Sequence, residues 1–446
     1  MTVVIGAVVI VYAAYLAALF RFGKPWVNPM FVLLLYYLFN YPVRAYLLVE
    51  FPENFNDRYA FTDAEILTGL AYSTCYVIIF AGVYLLMLKH FSIRLDFAGL
   101  HEGALDRKLF YVTAFLVLLS GVITMGYEVS VGGSFSLGSD IEGLRRPFWV
   151  NVTALPYSLK WFSTCMGFLL LLTRRSLGIV VMTALLLAMG LAEAFLTTAK
   201  GVIVSFLLLF LFLDNLVTGR ILRVSVLVIG ALFAVVFSSY SYYARLSGGV
   251  GLASVQEYLD TLNLFLSEDL WEAIGSQFEN IAFRATYYFD ALPLMSRTDP
   301  SATAGVYAFG SLIELVNLVP RAFGIVTEQY SFDRHVTFAV WGETDFSQIF
   351  IGRIGESFFV LGFAGLLYAL LHAGVFAYVA SLWRRLSGDI GGISLYVAIL
   401  LGWLYQDASL TYQAKNLIAI LLGYCLAKLV VRLLASASQG TAPQGA

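Results

Sequence analysis

Residues 177–217 read LGIVVMTALLLAMGLAEAFLTTAKGVIVSFLLLFLFLDNLV, and this stretch decides the fold class. It holds two apolar runs, 177–196 and 202–217, which meet at a short polar junction. A helix needs about 20 mostly apolar residues to cross the roughly 30 Å of hydrocarbon in a bilayer. The stretch therefore predicts two membrane-spanning helices joined by a tight turn.

The rest of the chain has the same character. Of its 446 residues, 60% are hydrophobic, 16% aromatic and only 13% charged, whereas soluble domains are about 25% charged. This composition excludes a disordered, collagen-like or disulfide-stapled secreted protein. A net charge of −2 without a basic block excludes nucleic acid as a partner. We expect one polytopic protein whose partner is the lipid bilayer.

Apolar runs of membrane-spanning length recur eleven times, and none alternates with the period of two that barrel strands show. We therefore predict an all-α polytopic integral membrane protein with about 11 transmembrane helices. No small-residue cleavage site follows the first run, so it is interpreted as an uncleaved span. The runs cover residues 3–20, 30–49, 64–88, 109–127, 154–173, 177–196, 202–217, 222–240, 358–380, 391–407 and 416–434.

Lys and Arg residues mark alternate joints between these runs, and such residues favour the cytoplasmic side. An eleven-span arrangement puts all six basic joints on that side, with the N-terminus outside and 435–446 as a disordered cytoplasmic tail. The joints carry Arg21 and Lys24; Lys89, Arg94, Arg107 and Lys108; Arg174 and Arg175; Arg220 and Arg223; Arg384 and Arg385; Lys428 and Arg432.

One long connection divides the chain. Residues 1–240 form an N-terminal bundle of about eight spans, and 358–434 form the C-terminal spans. Residues 241–357 between them are expected to be a large extracytoplasmic loop. Apolar residues recur in the loop at helical spacing, so we predict a structured helical loop.

The arginines of this loop are candidate anion ligands. The loop has 14 Asp and Glu residues, six Arg, one His and no Lys. A guanidinium grips phosphate with two parallel hydrogen bonds, so several arginines could converge on an anionic head group. Alternatively, each pairs with a carboxylate and holds the loop together. The candidates are Arg245, Arg284, Arg321 and Arg353.

Lys200 lies at the junction TTAKG (197–201), where a helix N-terminus and a cation can together bind an anion. It could equally extend from a helix end to the membrane surface. Glu193 is an intramembrane carboxylate and a functional candidate for that reason, unless it pairs with Lys200. A third basic point, the pair Arg145 and Arg146, is more simply a solvated pair.

The segment SFDRHVTFAVWGETDFSQIFIGRIGESF (331–358) contains the candidate proton acceptors. His335 and Glu343 are of the residue types that accept protons in group transfer, although His335 could also be a surface or capping residue. Two acidic residues two positions apart often arise by chance, and this applies to the pairs Asp140/Glu142 and Glu343/Asp345. We therefore expect no metal and no cofactor.

The organisation resembles that of Wzy-type oligosaccharide repeat-unit polymerases, with a weaker likeness to O-antigen ligases. The likeness covers ten to twelve spans and a long outer loop before the last few. TTAKGVIVSFLLLFLF looks like the family's broken-helix junction, which usually has Arg where this chain has Lys200. NLVPRAFGIV and IGRIGESFFVLGFAGLL look like its return from loop to membrane.

The resemblance implies a metal-independent, GT-C-like glycosyltransferase of the bacterial inner membrane. It would polymerise undecaprenyl-pyrophosphate-linked oligosaccharides on the periplasmic face, and it allows a chain-length regulator as a partner. On this hypothesis Lys200, Arg245, Arg284, Arg321 and Arg353 bind pyrophosphate, and His335 or Glu343 accepts the proton of the acceptor hydroxyl.

Other classes of function remain open from the sequence. A transporter or flippase of lipid-linked sugars would often show two repeated halves, and no repeat is visible. An O-antigen ligase or another glycosyltransferase acting on lipid-linked sugars would use similar residues. A receptor-like sensor would need a cytoplasmic output domain, and the longest inner joint has about 20 residues.

Overall fold

The computed structural model describes residues 1–56, 60–97, 99–130, 155–197, 200–220, 224–225, 228–230, 232–233, 287–297, 352–405 and 410–440. Across these residues the chain is almost entirely helical. Within them, extended pairing is limited to one bridge between Gly23 and Leu95. The predicted all-α fold is confirmed.

Fourteen α-helices are named here, in chain order. They are α1 (Thr2–Leu19), α2 (Pro29–Leu38), α3 (Arg44–Glu50), α4 (Pro52–Phe55), α5 (Asp63–His90), α6 (Asp106–Ser130), α7 (Lys160–Thr173), α8 (Leu177–Thr197), α9 (Lys200–Thr218), α10 (Ala291–Arg297), α11 (Gly352–Leu361), α12 (Leu366–Leu386), α13 (Ile390–Ile399) and α14 (Leu410–Gly440). Two π-helical turns continue α2 and α13, at Phe39–Val43 and Leu400–Leu404.

Eight helical segments of the described chain are long and apolar enough to cross a membrane, so the protein is a multi-pass membrane protein by length and composition. Two shorter apolar helices, Lys160–Thr173 and Ile390–Leu404, lie in the expected runs 154–173 and 391–407. The run 222–240 falls largely outside the described residues. The eight segments are Thr2–Phe22, Pro29–Glu50, Asp63–His90, Asp106–Tyr127, Leu177–Ala194, Gly201–Thr218, Gly352–Leu386 and Asn416–Leu434.

Side chains at the helix starts explain several of these boundaries. Asn28 accepts a hydrogen bond from the Met30 amide at 3.1 Å, directly before Pro29 opens α2. Thr62 and Glu65 form a reciprocal capping box at the start of α5. At its other end the chain stays helical through Gly440, where an irregular tail from residue 435 was expected. The Ala and Ser residues after Leu434 are compatible with helix.

The basic joints of the described chain meet at one end of the bundle, which we call the basic end. Lys24 donates to the carbonyl oxygen of Asn215 at 2.9 Å, and Trp383 donates to that of Asp96 at 2.7 Å. The Ile390 amide donates a hydrogen bond to the carbonyl oxygen of His101 at 3.1 Å. Burial against these neighbours lowers the pKa of Lys24. The alternation of basic joints therefore reflects the real packing of the helices.

The opposite end is held together by different pairs. Lys160 at the start of α7 forms an ion pair at 2.8 Å with Glu193 near the end of α8. Arg297 on α10 forms an ion pair at 2.6 Å with Glu65 on α5, and this hydrogen bonding raises the pKa of Arg297. These contacts place 287–297, part of the expected outer loop, against the membrane helices.

Candidate functional site

Helix α11 does not continue into α12 but folds back beside it. Gly362 has φ +56°, and a Cβ added to Gly365 would collide with the carbonyl oxygen of Ser357. Residues eight apart in one helix are about 12 Å apart, so the chain reverses at 362–365. The expected span 358–380 lies within the candidate segment Gly352–Leu386, and the reversal divides that segment into α11 and α12. Both arms of the hairpin are apolar, so hydropathy alone does not separate them.

Every residue from Gly352 to Val360 is buried, although residues 352–357 were expected to belong to an outer loop. Arg353 and Glu356 are only 1% and 5% exposed. These two charged side chains therefore lie inside the bundle.

Arg353 contacts two helices that cross the bundle. Its Nη2 donates to the carbonyl oxygen of Leu404 at 2.8 Å, and its guanidinium carbon lies 5.4 Å from the ring centroid of Phe376. Leu404 is 14 residues beyond the start of α13 at the basic end, or about 21 Å along the helix axis. The guanidinium thus lies far from the basic end, about 21 Å away along this helix.

A second buried arginine, Arg44, lies at the opening of α3. Its Nε and Nη2 donate to the two carboxylate oxygens of Asp290 at 2.9 and 2.7 Å. Arg44 is 0% exposed and Asp290 2% exposed. The guanidinium also lies 5.3 Å from the ring centroid of Phe55. This bidentate pair ties residue 290 to the first membrane helices.

Both buried arginines lie next to π-helical turns. Helices α2 and α13 each run ten residues from the basic end before a five-residue π-turn, Phe39–Val43 in one and Leu400–Leu404 in the other. Arg44 directly follows the first turn, and Arg353 donates to the last residue of the second. Single π-turns inside α-helices are frequent at functional sites.

Hydrogen-bonding side chains on α5 continue this interior. The Tyr72 and Ser357 hydroxyls lie 2.8 Å apart, and the Tyr76 hydroxyl is hydrogen-bonded to Nδ1 of His372 on α12. All four of these side chains are buried. The ring of Phe80 packs edge to face on His372 at 6.3 Å between centroids. The site is therefore a polar interior walled by aromatic rings.

Helix α11 adds an electrostatic element to this interior. It has ten residues, and its N-terminus, beside Arg353, points into the bundle rather than out of it. Helix N-termini carry partial positive charge and free N–H groups that favour anions. The guanidinium of Arg353 lies at this N-terminus, and the carboxylate of Glu356 lies one turn further along the helix.

The other residues proposed from the sequence have different outcomes. Lys200 is the first residue of α9, as the junction predicted. Glu193 pairs with Lys160, and its Oε2 also accepts from the Tyr157 hydroxyl at 2.5 Å. Of the remaining candidates, these lie outside the described residues: Arg245, Arg284, Arg321, His335, Glu343, Arg145, Arg146, Asp140, Glu142 and Asp345.

Sequence reasoning missed Arg44, His372 and the tyrosines. Arg44 lies within the run 30–49 and His372 within the run 358–380. Ionisable residues inside apolar runs are functional candidates by default. That signal identified Glu193 and would have identified Arg44 and His372 as well.

Among the described residues, no group of three His, Cys, Asp or Glu side chains is arranged to hold a metal ion. The site is built from guanidinium, hydroxyl, imidazole and carboxylate groups. No family model, curated protein or solved structure matches the chain, so the site is interpreted from its own geometry.

Proposed function

We propose that this chain is a membrane glycosyltransferase that polymerises undecaprenyl-pyrophosphate-linked oligosaccharide repeat units into a surface polysaccharide. The observation that carries the proposal is the buried Arg353 beside the inward-pointing N-terminus of α11. A permanent cation inside a membrane protein is costly to bury and is usually tied to function. A polyprenyl pyrophosphate combines an anionic head with a membrane-embedded tail, which suits this position.

The proposal includes the arrangement in the membrane. The chain would have eleven spans in a GT-C-like bundle of the bacterial inner membrane, with 241–357 on the periplasmic side. The clustering of the basic joints supports this orientation, because cytoplasmic joints are rich in Lys and Arg. Arg353 would then lie in the periplasmic half of the bilayer.

The chemistry is a displacement at the donor's anomeric carbon. An acceptor hydroxyl oxygen forms a bond to that carbon while the bond to the pyrophosphate oxygen breaks. The polyprenyl pyrophosphate leaves with the bonding electron pair, and His335 or Glu343 takes the hydroxyl proton. Preorganised cations stabilise the charge that grows on the leaving group. Arg353 would supply this charge together with Lys200, Arg245, Arg284 and Arg321.

The test uses the purified full chain and a lipid-linked repeat unit, with products separated on a gel. The unaltered protein should produce a ladder of polymer lengths. Arg353→Gln should lower the polymerisation rate about 10²–10³-fold, in the range seen when a charge-stabilising group is lost. Arg353→Lys should recover part of the rate because lysine keeps the positive charge. The recovery should be incomplete because lysine lacks the planar guanidinium that binds phosphate with two hydrogen bonds.

The matched control is Arg297→Gln, which removes an exposed arginine of the ion pair with Glu65. This variant should keep the full ladder. An unchanged ladder from folded Arg353→Gln would contradict the proposal, as would failure of the unaltered protein to extend the substrate.

A transporter or flippase of lipid-linked sugars is the second candidate. The reversal between α11 and α12 favours it, because transporter sites are often formed by discontinuous helices near the middle of the bilayer. In the same assay, unchanged substrate that nevertheless crosses the bilayer of a proteoliposome would support transport. Attachment of the glycan to a non-repeat acceptor, such as a lipid A core, would instead support an O-antigen ligase.

A further inference from the structure

A cavity of about 280 Å³ opens at the basic end, between α6, α13 and α14. Its volume far exceeds the roughly 15 Å³ that a single water requires. The polar lining comes from two carboxylates, two cations and one tyrosine: Asp106, Asp389, Lys428, Arg432 and Tyr424. The two positive and two negative formal charges cancel, so the lining has no net formal charge. Its charged groups nevertheless come from different helices.

The cations lie along one face of α14. Tyr424, Lys428 and Arg432 are spaced four residues apart, which aligns them on one side of a helix. The Lys428 ammonium lies 4.7 Å from the centroid of the Tyr424 ring. Within the described chain, neither Lys428 nor Arg432 forms an ion pair within 4.0 Å. Both cations are exposed and line the cavity.

The carboxylates form the other wall. Asp106 is 5% exposed, and its Oδ2 accepts from the amides of Gly103 at 2.8 Å and Gly391 at 3.4 Å. Asp389 is exposed and caps α13 by accepting from the Gly392 amide at 2.6 Å. The carboxylates thus come from α6 and the start of α13, whereas both cations come from α14.

The cavity lies where a lipid headgroup would be found. Lys428 and Arg432 line it together with Gly103 and Asp389, which belong to joints between helices at the basic end. Leu422, Leu426, Leu429 and Leu433 on the same helix are 49–60% exposed, as expected for a helix that contacts acyl chains.

We propose that this cavity binds the headgroup of a phospholipid that carries both a phosphate and a primary ammonium, such as phosphatidylethanolamine. Lys428 and Arg432 would hold the phosphate, and Asp389 with Asp106 would accept the ammonium. A zwitterionic headgroup matches both walls at once. A purely anionic headgroup leaves the carboxylates facing its negative charge. The inference is independent of the proposed enzymatic activity.

Native mass spectrometry of the full chain in detergent tests this site, with phosphatidylethanolamine and phosphatidylglycerol titrated separately. Phosphatidylethanolamine should bind at least tenfold more tightly. The double variant Lys428→Gln/Arg432→Gln should weaken its binding at least tenfold. Asp389→Asn should reduce the preference over phosphatidylglycerol at least threefold. Because Asn caps helices about as well as Asp, this last variant leaves α13 intact.

The control is Arg174→Gln/Arg175→Gln, which removes the same charge from an exposed joint outside the cavity. It should leave binding of phosphatidylethanolamine unchanged. Equal affinity for the two lipids, or full binding by the Lys428/Arg432 variant, would overturn the proposal. Equally tight binding of soluble glycerophosphoethanolamine would overturn the lipid as the ligand.

Discussion

Two buried arginines occupy similar positions in this bundle but are held in different ways. Arg44 follows one π-turn and grips both carboxylate oxygens of Asp290. Arg353 touches the other π-turn, where it donates to the Leu404 carbonyl and lies over the ring of Phe376. Asp290 neutralises the charge of Arg44. The carbonyl group of Leu404 and the ring of Phe376 are two of the groups that contact Arg353.

This contrast separates a structural role from a binding role. A closed ion pair has no net charge to offer a ligand, so the Arg44–Asp290 pair serves to fasten 287–297 to the first helices. Arg353 instead lies at the N-terminus of α11, a position that favours an anionic ligand. Substitutions at the first site should therefore affect stability most, and substitutions at the second should affect activity most.

The largest expected change in stability follows from breaking the Arg44–Asp290 pair. Asp290→Asn or Arg44→Gln leaves one buried charge without its counter-ion, which costs about 3–5 kcal/mol. Unfolding of the purified protein in detergent, followed by intrinsic fluorescence, measures this loss. The double variant Arg44→Met/Asp290→Leu removes both charges and should recover most of it. If the single variants were as stable as the unaltered protein, the ion pair would not contribute to the stability of the fold.

The next effect concerns the hairpin that carries Arg353. Gly365→Ala would push a methyl group into the Ser357 carbonyl, so α11 must shift. Overpacking of this kind costs about 1–3 kcal/mol, and the shift displaces Arg353, so polymer formation should fall more than stability does. Gly374→Ala on α12 is the control, because a Cβ there meets nothing within 4 Å. If both variants behave alike, the close approach at Gly365 does not position the site.

The smallest effect is expected at the exposed Arg297–Glu65 ion pair. Arg297 is 39% exposed, and solvent and salt screen such pairs. Arg297→Gln should lower stability by about 0.2–1 kcal/mol. The difference should shrink as NaCl rises from 50 mM to 1 M. A loss as large as that of Asp290→Asn would instead make this surface pair the main link to 287–297.

Much of the fold could be predicted from hydropathy and charge. Apolar runs identified the membrane helices because each helix must satisfy its own backbone in lipid. The alternation of basic joints predicted which helix ends meet, as the Lys24 and Trp383 hydrogen bonds show. The reversal at 362–365 was not predicted, because an apolar hairpin and a single apolar span have the same hydropathy.

The site was predicted less completely than the fold. Arg353 was chosen for its chemistry, and the structure places it in the interior rather than in a loop. The partner of Arg44 could not be predicted, since Asp290 lies 246 residues away and no local pattern links them. π-turns have no sequence signature in this chain beyond Pro42, which lies in the first of them. Long-range pairing of this kind requires a structure.

The separation of Arg44 from Asp290 also has a consequence for biosynthesis. A ribosome that adds about 5–20 residues per second incorporates Asp290 roughly 10–50 s after it has incorporated Arg44. During that interval the second span holds a full positive charge that its own neighbours in sequence do not neutralise. We expect this span to remain beside the insertion machinery, or near water, until 287–297 arrives. Truncated nascent chains that end before residue 290 should accordingly leave the second span extractable.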